Sequence, residues 1–387
     1  MRALKTQKNV IYQAKFMIQG EQKMKMSHAC ISAVCAAFIS SSALAEDKVL
    51  NIYNWSDYIT PDAVANFEKE TGIKVNYDVY DSNEALEAKL MAGSSGYDLV
   101  FPSNSFFERQ VKAGAYQTID KSLLSNYKNI DQQLASKVAQ HDEGNLHNVP
   151  YAWGTVGIGY NIDMVKERLG DDFQLDSLDV LLKPEVAAKL QDCGIAVLDS
   201  PAEVMSIVNN YIGEDPNSES LSDLKASAKV LSEARPYYKY FHSSQYISDL
   251  ANGDICVALG YNGDLLQAKD RALEAGQGVN IGFSIPREGT LLWFDLMAIP
   301  ADAPHPQAAL KYINYILRGD VAASLSNYVF YAVPNTAATP MLDTEISENK
   351  GVYPVQAVKD KLFIQVAHTP KFDRSLTRTW SNIKTGR

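Results

Sequence analysis

Residues Val49 to Phe101 read VLNIYNWSDYITPDAVANFEKETGIKVNYDVYDSNEALEAKLMAGSSGYDLVF. Val49 to Tyr53 is apolar and β-branched enough to be a strand. Thr60-Pro61 then marks a helix start, with Thr as N-cap and Pro at the first helical position, and Val64, Phe67 and Thr71 follow at helical spacing. Gly72 ends that helix, and Ile73 to Val79 alternates with a period of two, as a half-buried strand does. Ser82 or Asn83 caps a second helix that runs through Leu86 and Leu90 to Gly93, and Tyr97 to Phe101 is a third strand stopped by Pro102. Strand, helix, strand, helix, strand at this spacing predicts an α/β fold with parallel strands and crossover helices.

In open sheets of this kind ligands sit beyond the carboxyl ends of the strands. The loops that follow the first and third strands, Trp55 to Tyr58 and Ser103 to Phe106, therefore face one rim. Later segments repeat the pattern: Ile195 to Asp199 leads to Glu203, Ile255 to Gly260 to Tyr261–Asp264, and Leu291 to Phe294 to Asp295. In three of these places an aromatic residue stands two or three positions before an aspartate: Trp55-Ser56-Asp57, Tyr261-Asn262-Gly263-Asp264 and Trp293-Phe294-Asp295. A carboxylate neutralises an ammonium group while an aromatic face covers methylenes and attracts the same charge, so the recurrence points to a small organic cation. Taken singly, each aromatic reads equally well as core and each aspartate as a loop cap.

The N-terminal 45 residues read as a leader. Ala29 to Ile39 is a short apolar run preceded by Lys23 and Lys25 and followed by Ala43-Leu44-Ala45, the layout of a cleaved secretory signal, with cleavage expected after Ala45. Met24 or Met26 is the expected start, and the run is too short for a membrane span of about 20 residues. Cys30 and Cys35 fall within the leader, where Val34 fits a lipoprotein cleavage site poorly. The remaining 342 residues, enough for two domains, carry 30 basic and 45 acidic side chains, a net charge of about −15. Such a surface argues against nucleic acid or anionic membrane as a partner. Cys193 and Cys256 remain, each in an apolar strand-like segment, and an even count in an oxidising compartment admits one disulfide or two buried thiols.

An enzyme needs a constellation, and the chain has no phosphate-binding loop, no H-E-x-x-H, no G-x-S-x-G elbow and no G-x-G-x-x-G. Its histidines past the leader, His141, His147, His242, His305 and His368, lack metal-ligand spacing, so no metal and no cofactor is expected. His242 beside Ser243 and Ser244 reads as an ordinary core or surface histidine, because neighbours in a strand point to opposite faces.

Four segments carry a specific likeness: IYNWSDYITPDAVANFEKETGIKVNYDVYDSNE, KLMAGSSGYDLVFPS, YYKYFHSSQYISDLANGDICVALG and LRGDVAASLSNYVFYAVPNTAATP. From about Val49 to Lys384 the chain resembles the periplasmic polyamine-binding proteins, the substrate-binding subunits of ABC importers, most nearly their putrescine branch. The resemblance implies a type II periplasmic binding protein fold of two lobes, each a mixed sheet flanked by helices, closing on ligand like a hinged trap. It places residues 46–153 and 276–321 in the first lobe and 154–275 and 322–387 in the second. It implies a monomer in the periplasm that hands polyamine to an inner-membrane permease.

Carried over by position, the family's pocket falls on Trp55, Tyr58, Tyr261, Trp293 and Tyr331 as an aromatic box, with Asp264 and Asp295 on one ammonium. Glu203, Ser56 and Asp57 lie towards the other end, and Ser103, Ser105 and Ser243 give support. Tyr261 stands where the family usually has Trp. Trp293 and Gln365 match the spermidine type, while Asp57, Ser105 and Ser200 match the putrescine type. The mixture implies that spermidine binds at least comparably to putrescine. Rival readings are a same-fold receptor for another solute, a polyamine sensor that signals to a membrane receptor, and a hydrolase. An amino-acid receptor would want an arginine for the carboxylate, and the five strand-end clusters contain none.

Overall fold

A computed structural model describes residues 48–386; the expected leader, its alternative starts and its cleavage site lie outside the described residues. Ten strands join in one mixed sheet. They are β1 Val49–Trp55, β2 Lys74–Tyr80, β3 Leu99–Val100, β4 Asn148–Asn161, β5 Ile195–Val197, β6 Tyr240–Phe241, β7 Val257–Tyr261, β8 Ile281–Ser284, β9 Leu291–Ala298 and β10 Phe363–Ile364. The path runs β2-β1-β3-β9-β4-β7-β5-β6, with β10 beside β9 and β8 beside β4. The helices that concern the site are α1 Ala63–Thr71, α2 Asn83–Met91, α3 Asn104–Lys112, α4 Pro201–Tyr211, α5 Leu221–Ala234, α6 Tyr246–Asn252, α7 Asn262–Ala275 and α8 Pro370–Thr385.

β4 is the strand that makes one sheet of two halves. Its residues Asn148 to Thr155 pair with β9, and Val156 to Asn161 pair with β7 and β8. Central strands covered on both faces read as near-continuous apolar runs, and every residue of β9 is buried, Asp295 being its one charged member. β1 is parallel to both β2 and β3, and β5 is parallel to both β6 and β7. The β9 pairings with β3 and β4 are antiparallel. β8 lies in the half-sheet of Val156 to Asn161 although residues from 276 onward were expected with the other half, because the chain crosses back only between β8 and β9.

Local readings shift where side chains take over the backbone's bonds. α1 begins at Ala63 rather than at Pro61, because the Thr60 carbonyl accepts the Ala63 N–H in a turn and Thr60 does not cap. Ser82 does cap α2, its hydroxyl accepting from the Ala85 N–H at 3.3 Å. β3 stops at Val100 because the Phe101 carbonyl accepts from Trp55 Nε1 (2.8 Å) and the Tyr80 hydroxyl (2.6 Å) instead of joining the ladder. The sequence placed Asp295 past a strand end, but β9 continues to Ala298 and Asp295 sits mid-strand, opposite Ala152 at a bulge in β4.

Cys193 and Cys256 are joined, both buried beside β5 and β7. His242 serves locally, its Nδ1 accepting the N–H groups of Ser244 and Gln245 at 3.1 and 3.0 Å. Among the described residues no helix is long and apolar enough to cross a membrane.

Candidate functional site

The first, third, fifth and seventh strands end around one cavity, and β9 runs through its floor. It is lined by Trp55, Ser56, Asp57 and Tyr58 after β1, Tyr80 and Asp81 at the end of β2, and Ser103 after β3. From the other half-sheet come Glu203 in the first turn of α4, Ser243, Ser244 and Ile247, Tyr261 and Asp264 at the start of α7, and Tyr331; Trp293 and Asp295 come from β9. Its volume is about 60 Å³, against roughly 10–15 Å³ for one water in the same measure. That is room for a short row of small groups.

The aromatic rings meet edge to face. Trp293 lies 5.1 Å from Tyr331 at 74° and 6.0 Å from Tyr261 at 85°, and Tyr58 lies 5.2 Å from Tyr331 at 84°. Such packing fixes each ring while leaving a π face towards the space between them. The Trp293 indole can lie flat only because residue 154 has no side chain, since a Cβ at Gly154 would sit 2.5 Å from the ring.

Each buried acid has donors aimed at it. Ser103 Oγ donates to Asp295 at 2.6 Å, and Ser103 is itself held by Asn83 through both its N–H and its hydroxyl. The Tyr261 hydroxyl donates to Glu203 at 2.6 Å. Asp264 accepts from the Tyr246 hydroxyl at 2.7 Å and the Tyr331 hydroxyl at 2.6 Å, one on each oxygen. Asp57 stands at the rim in a left-handed conformation (φ 53°), 3.4 Å from Arg271 of α7.

Burial is the first cause of the acids' perturbed titration. It pushes Asp295 up to about 7 and Asp264 up to about 6, against the pull of their hydroxyl donors, and it raises Glu203 against the pull of Tyr261. Ionising these carboxylates together is costly because nothing in the cavity neutralises them. The lining holds five carboxylates, Asp57, Asp81, Glu203, Asp264 and Asp295, and no lysine, arginine or histidine. A pocket of that composition accepts hydrogen bonds and positive charge, and lacks the cationic fork that a carboxylate or phosphate ligand needs.

Twelve of the fourteen residues expected in the site line the cavity; Ser105 and Gln365 do not. Ser105 is buried in the first turn of α3. Gln365 lies behind the wall, its side-chain amide donating to Ser206 Oγ at 3.1 Å and its carbonyl accepting from Asn104 at 3.1 Å. Tyr80, Asp81, Ser244 and Ile247 were not foreseen. Tyr80-Asp81 is one more aromatic–acid pair at a strand exit, but the two are adjacent in the chain, so a search for an aspartate two or three positions past an aromatic passes over it.

Residues 62–353 match the family of bacterial extracellular solute-binding proteins. The chain belongs to that family. Among curated solute-binding relatives, the putrescine-binding periplasmic protein PotF of Escherichia coli (strain K12) is 54% identical over 366 residues, covering 94% of this chain and 99% of that one. The putrescine-binding periplasmic protein SpuD of Pseudomonas aeruginosa (strain UCBPP-PA14) is 49% identical over 343 residues, 89% of this chain and 94% of that one. A solved structure from Listeria monocytogenes matches with a TM-score of 0.79 at 31% identity, covering 88% of this chain and all of that one. The spermidine/putrescine substrate-binding protein PotD of Streptococcus pneumoniae matches with a TM-score of 0.72 at 27% identity, over 88% and 99% of the two chains. The fold is therefore that of the type II periplasmic binding proteins, and these relatives are solute-binding transport proteins rather than enzymes.

Proposed function

We propose that this chain captures a polyamine in the cavity between its two half-sheets and delivers it to an inner-membrane ABC permease from the periplasm, after export and cleavage behind Ala45. The observation that carries the reading is the lining itself: five carboxylates and an aromatic box with no basic side chain. A linear diammonium ion supplies what that lining lacks. Its two charged ends neutralise acids that burial otherwise penalises, and its methylenes lie against rings. Asp264 and Asp295 are the partners of one ammonium group, and Glu203 with Asp57 lies towards the other. Relatives whose names say that they bind putrescine support the choice of ligand class.

The two lobes are then residues 48–153 with the β9 segment, and residues 154–284 with the C-terminal part, the chain crossing back through residues 285–290. The protein acts as a monomer that closes over its ligand. Putrescine is the first ligand to test. The wider indole of Trp293 favours a longer chain, but Gln365 is engaged with Ser206 behind the wall and offers nothing directly to an extra amine. Calorimetric titration of residues 46–387, stripped of ligand by unfolding and refolding, should give one-to-one heat with putrescine, with spermidine as competitor. Silence with both would overturn the reading.

A further inference from the structure

Tyr246 touches the acid, the aromatic wall and the helix that frames the cavity, yet it is not one of the residues that line it. It is the second residue to reach Asp264, fully buried at the start of α6. Its hydroxyl donates to Asp264 Oδ2 at 2.7 Å and accepts the backbone N–H of Tyr261 at 3.1 Å. Ser243 and Ser244 just before α6, and Ile247 within it, line the cavity. The ring lies flat on the backbone of β7, where a Cβ at Gly260 would fall 2.5 Å from it.

We propose that Tyr246 is a positioning residue for ligand capture, which holds the Asp264 carboxylate in its ligand-facing orientation and ionised state while pinning Tyr261 to the same point. The inference rests on the cation-binding reading of the cavity. A phenol that donates to a carboxylate favours its charged form, and only the charged form pairs with an ammonium. Tyr331 makes the matching bond to the other oxygen, and its hydroxyl also accepts the Asp264 N–H at 3.1 Å. The other groups that face Asp264 are Asp57, which opposes its ionisation, Arg271, which favours it, and Asp295, Tyr58 and Tyr261, each of which feels its charge. Tyr246 is thus the donor that can be removed without taking anything from the lining.

The test is putrescine affinity of wild type and Tyr246→Phe at pH 8.5 and pH 5.5. The variant should lose about tenfold at pH 8.5, the usual worth of a hydrogen bond to a charged group. It should lose a further ~tenfold at pH 5.5, because Asp264 then takes up a proton that wild type resists better. In an Asp264→Asn background the extra loss at low pH should vanish. An equal loss at both pH values, or none, overturns the inference, since a merely structural defect does not follow the titration of Asp264. Site-specific 3-fluorotyrosine at position 246, a stronger donor of nearly the same shape, keeps the question answerable if Tyr246→Phe does not fold. It should make binding less sensitive to acid, and unchanged sensitivity would overturn the inference. Failure of wild type to bind putrescine at pH 8.5 has a different signature: it removes the cation reading itself, and this inference with it.

Discussion

Two buried aspartates on the same sheet have opposite surroundings. Asp98, just before β3, is wholly buried and accepts four hydrogen bonds from its own chain. The donors are Asn51 N–H (2.7 Å), Asn51 Nδ2 (3.1 Å), His305 N–H (2.6 Å) and the His305 ring (3.1 Å). Asp295, on β9, the next strand along the same half-sheet, has the Ser103 hydroxyl and the Tyr58 phenol beside it and no cation. One acid is completed by the fold, and the other is left for something outside the chain to complete. A buried charge without partners weakens the empty protein and gives its binding energy to the ion that arrives. The difference between a structural acid and a binding acid is therefore where the missing partner comes from.

The largest effects should separate the two. Asp295→Ala and Asp264→Ala should each cost about 3–5 kcal/mol of putrescine affinity, as breaking a buried charge pair does. At pH 8 the melting temperature of the empty protein should hold or rise, because a penalised carboxylate has gone. Calorimetry and thermal melts of the two variants check both halves, and retained affinity in both would show that the pocket is misplaced. Asp98→Ala should do the reverse. It strands two buried backbone N–H groups, so unfolding in denaturant should show a loss of about 3 kcal/mol with ligand affinity nearly unchanged.

The dependence on pH sharpens the same contrast. Asp295 and Asp264 have folded-state values of about 7 and about 6, above the ordinary carboxylate value. The empty protein therefore binds more protons than the unfolded chain, and the stability this contributes is present in acid and lost as pH rises through 6 to 7. Ligand affinity moves the other way, gaining about tenfold or more between pH 5.5 and pH 8. Melting curves with and without putrescine across that range measure both slopes, and parallel slopes would break the comparison. The smallest effect is expected at the Tyr261 hydroxyl, the donor to Glu203. Tyr261→Phe keeps the ring and removes one bond to an acid, for a loss of about 1.5 kcal/mol in affinity.

Much of this was readable in the chain because it is local. The alternation of strand and helix from Val49 to Phe101 follows from periodicity and from Gly72 and Ser82, and the loops after β1 and β3 do face one rim. Aromatic–acid pairs at strand exits marked Trp55, Asp57, Tyr261, Asp264, Trp293 and Asp295 in the lining, and a looser spacing would have added Tyr80-Asp81. What the sequence hid is non-local. That β9 is a central antiparallel strand, with Asp295 in its middle, depends on a partner more than 130 residues away in the chain. Gln365 was placed in the site by resemblance alone, and its amide turns instead to Ser206, a residue 159 positions away. Tyr246 carries no motif, since its role exists only where α6, β7 and α7 meet.

The central claim is that the buried acids wait, partly protonated, for a cation. Calorimetry of putrescine binding at pH 6.5, in two buffers of different ionisation enthalpy, counts the protons exchanged on binding. The account predicts release of roughly one proton per ligand, falling towards none at pH 8.5, because the arriving ammonium groups ionise Asp295 and Asp264. Tight binding at pH 6.5 with no proton released, or with protons taken up, would contradict it.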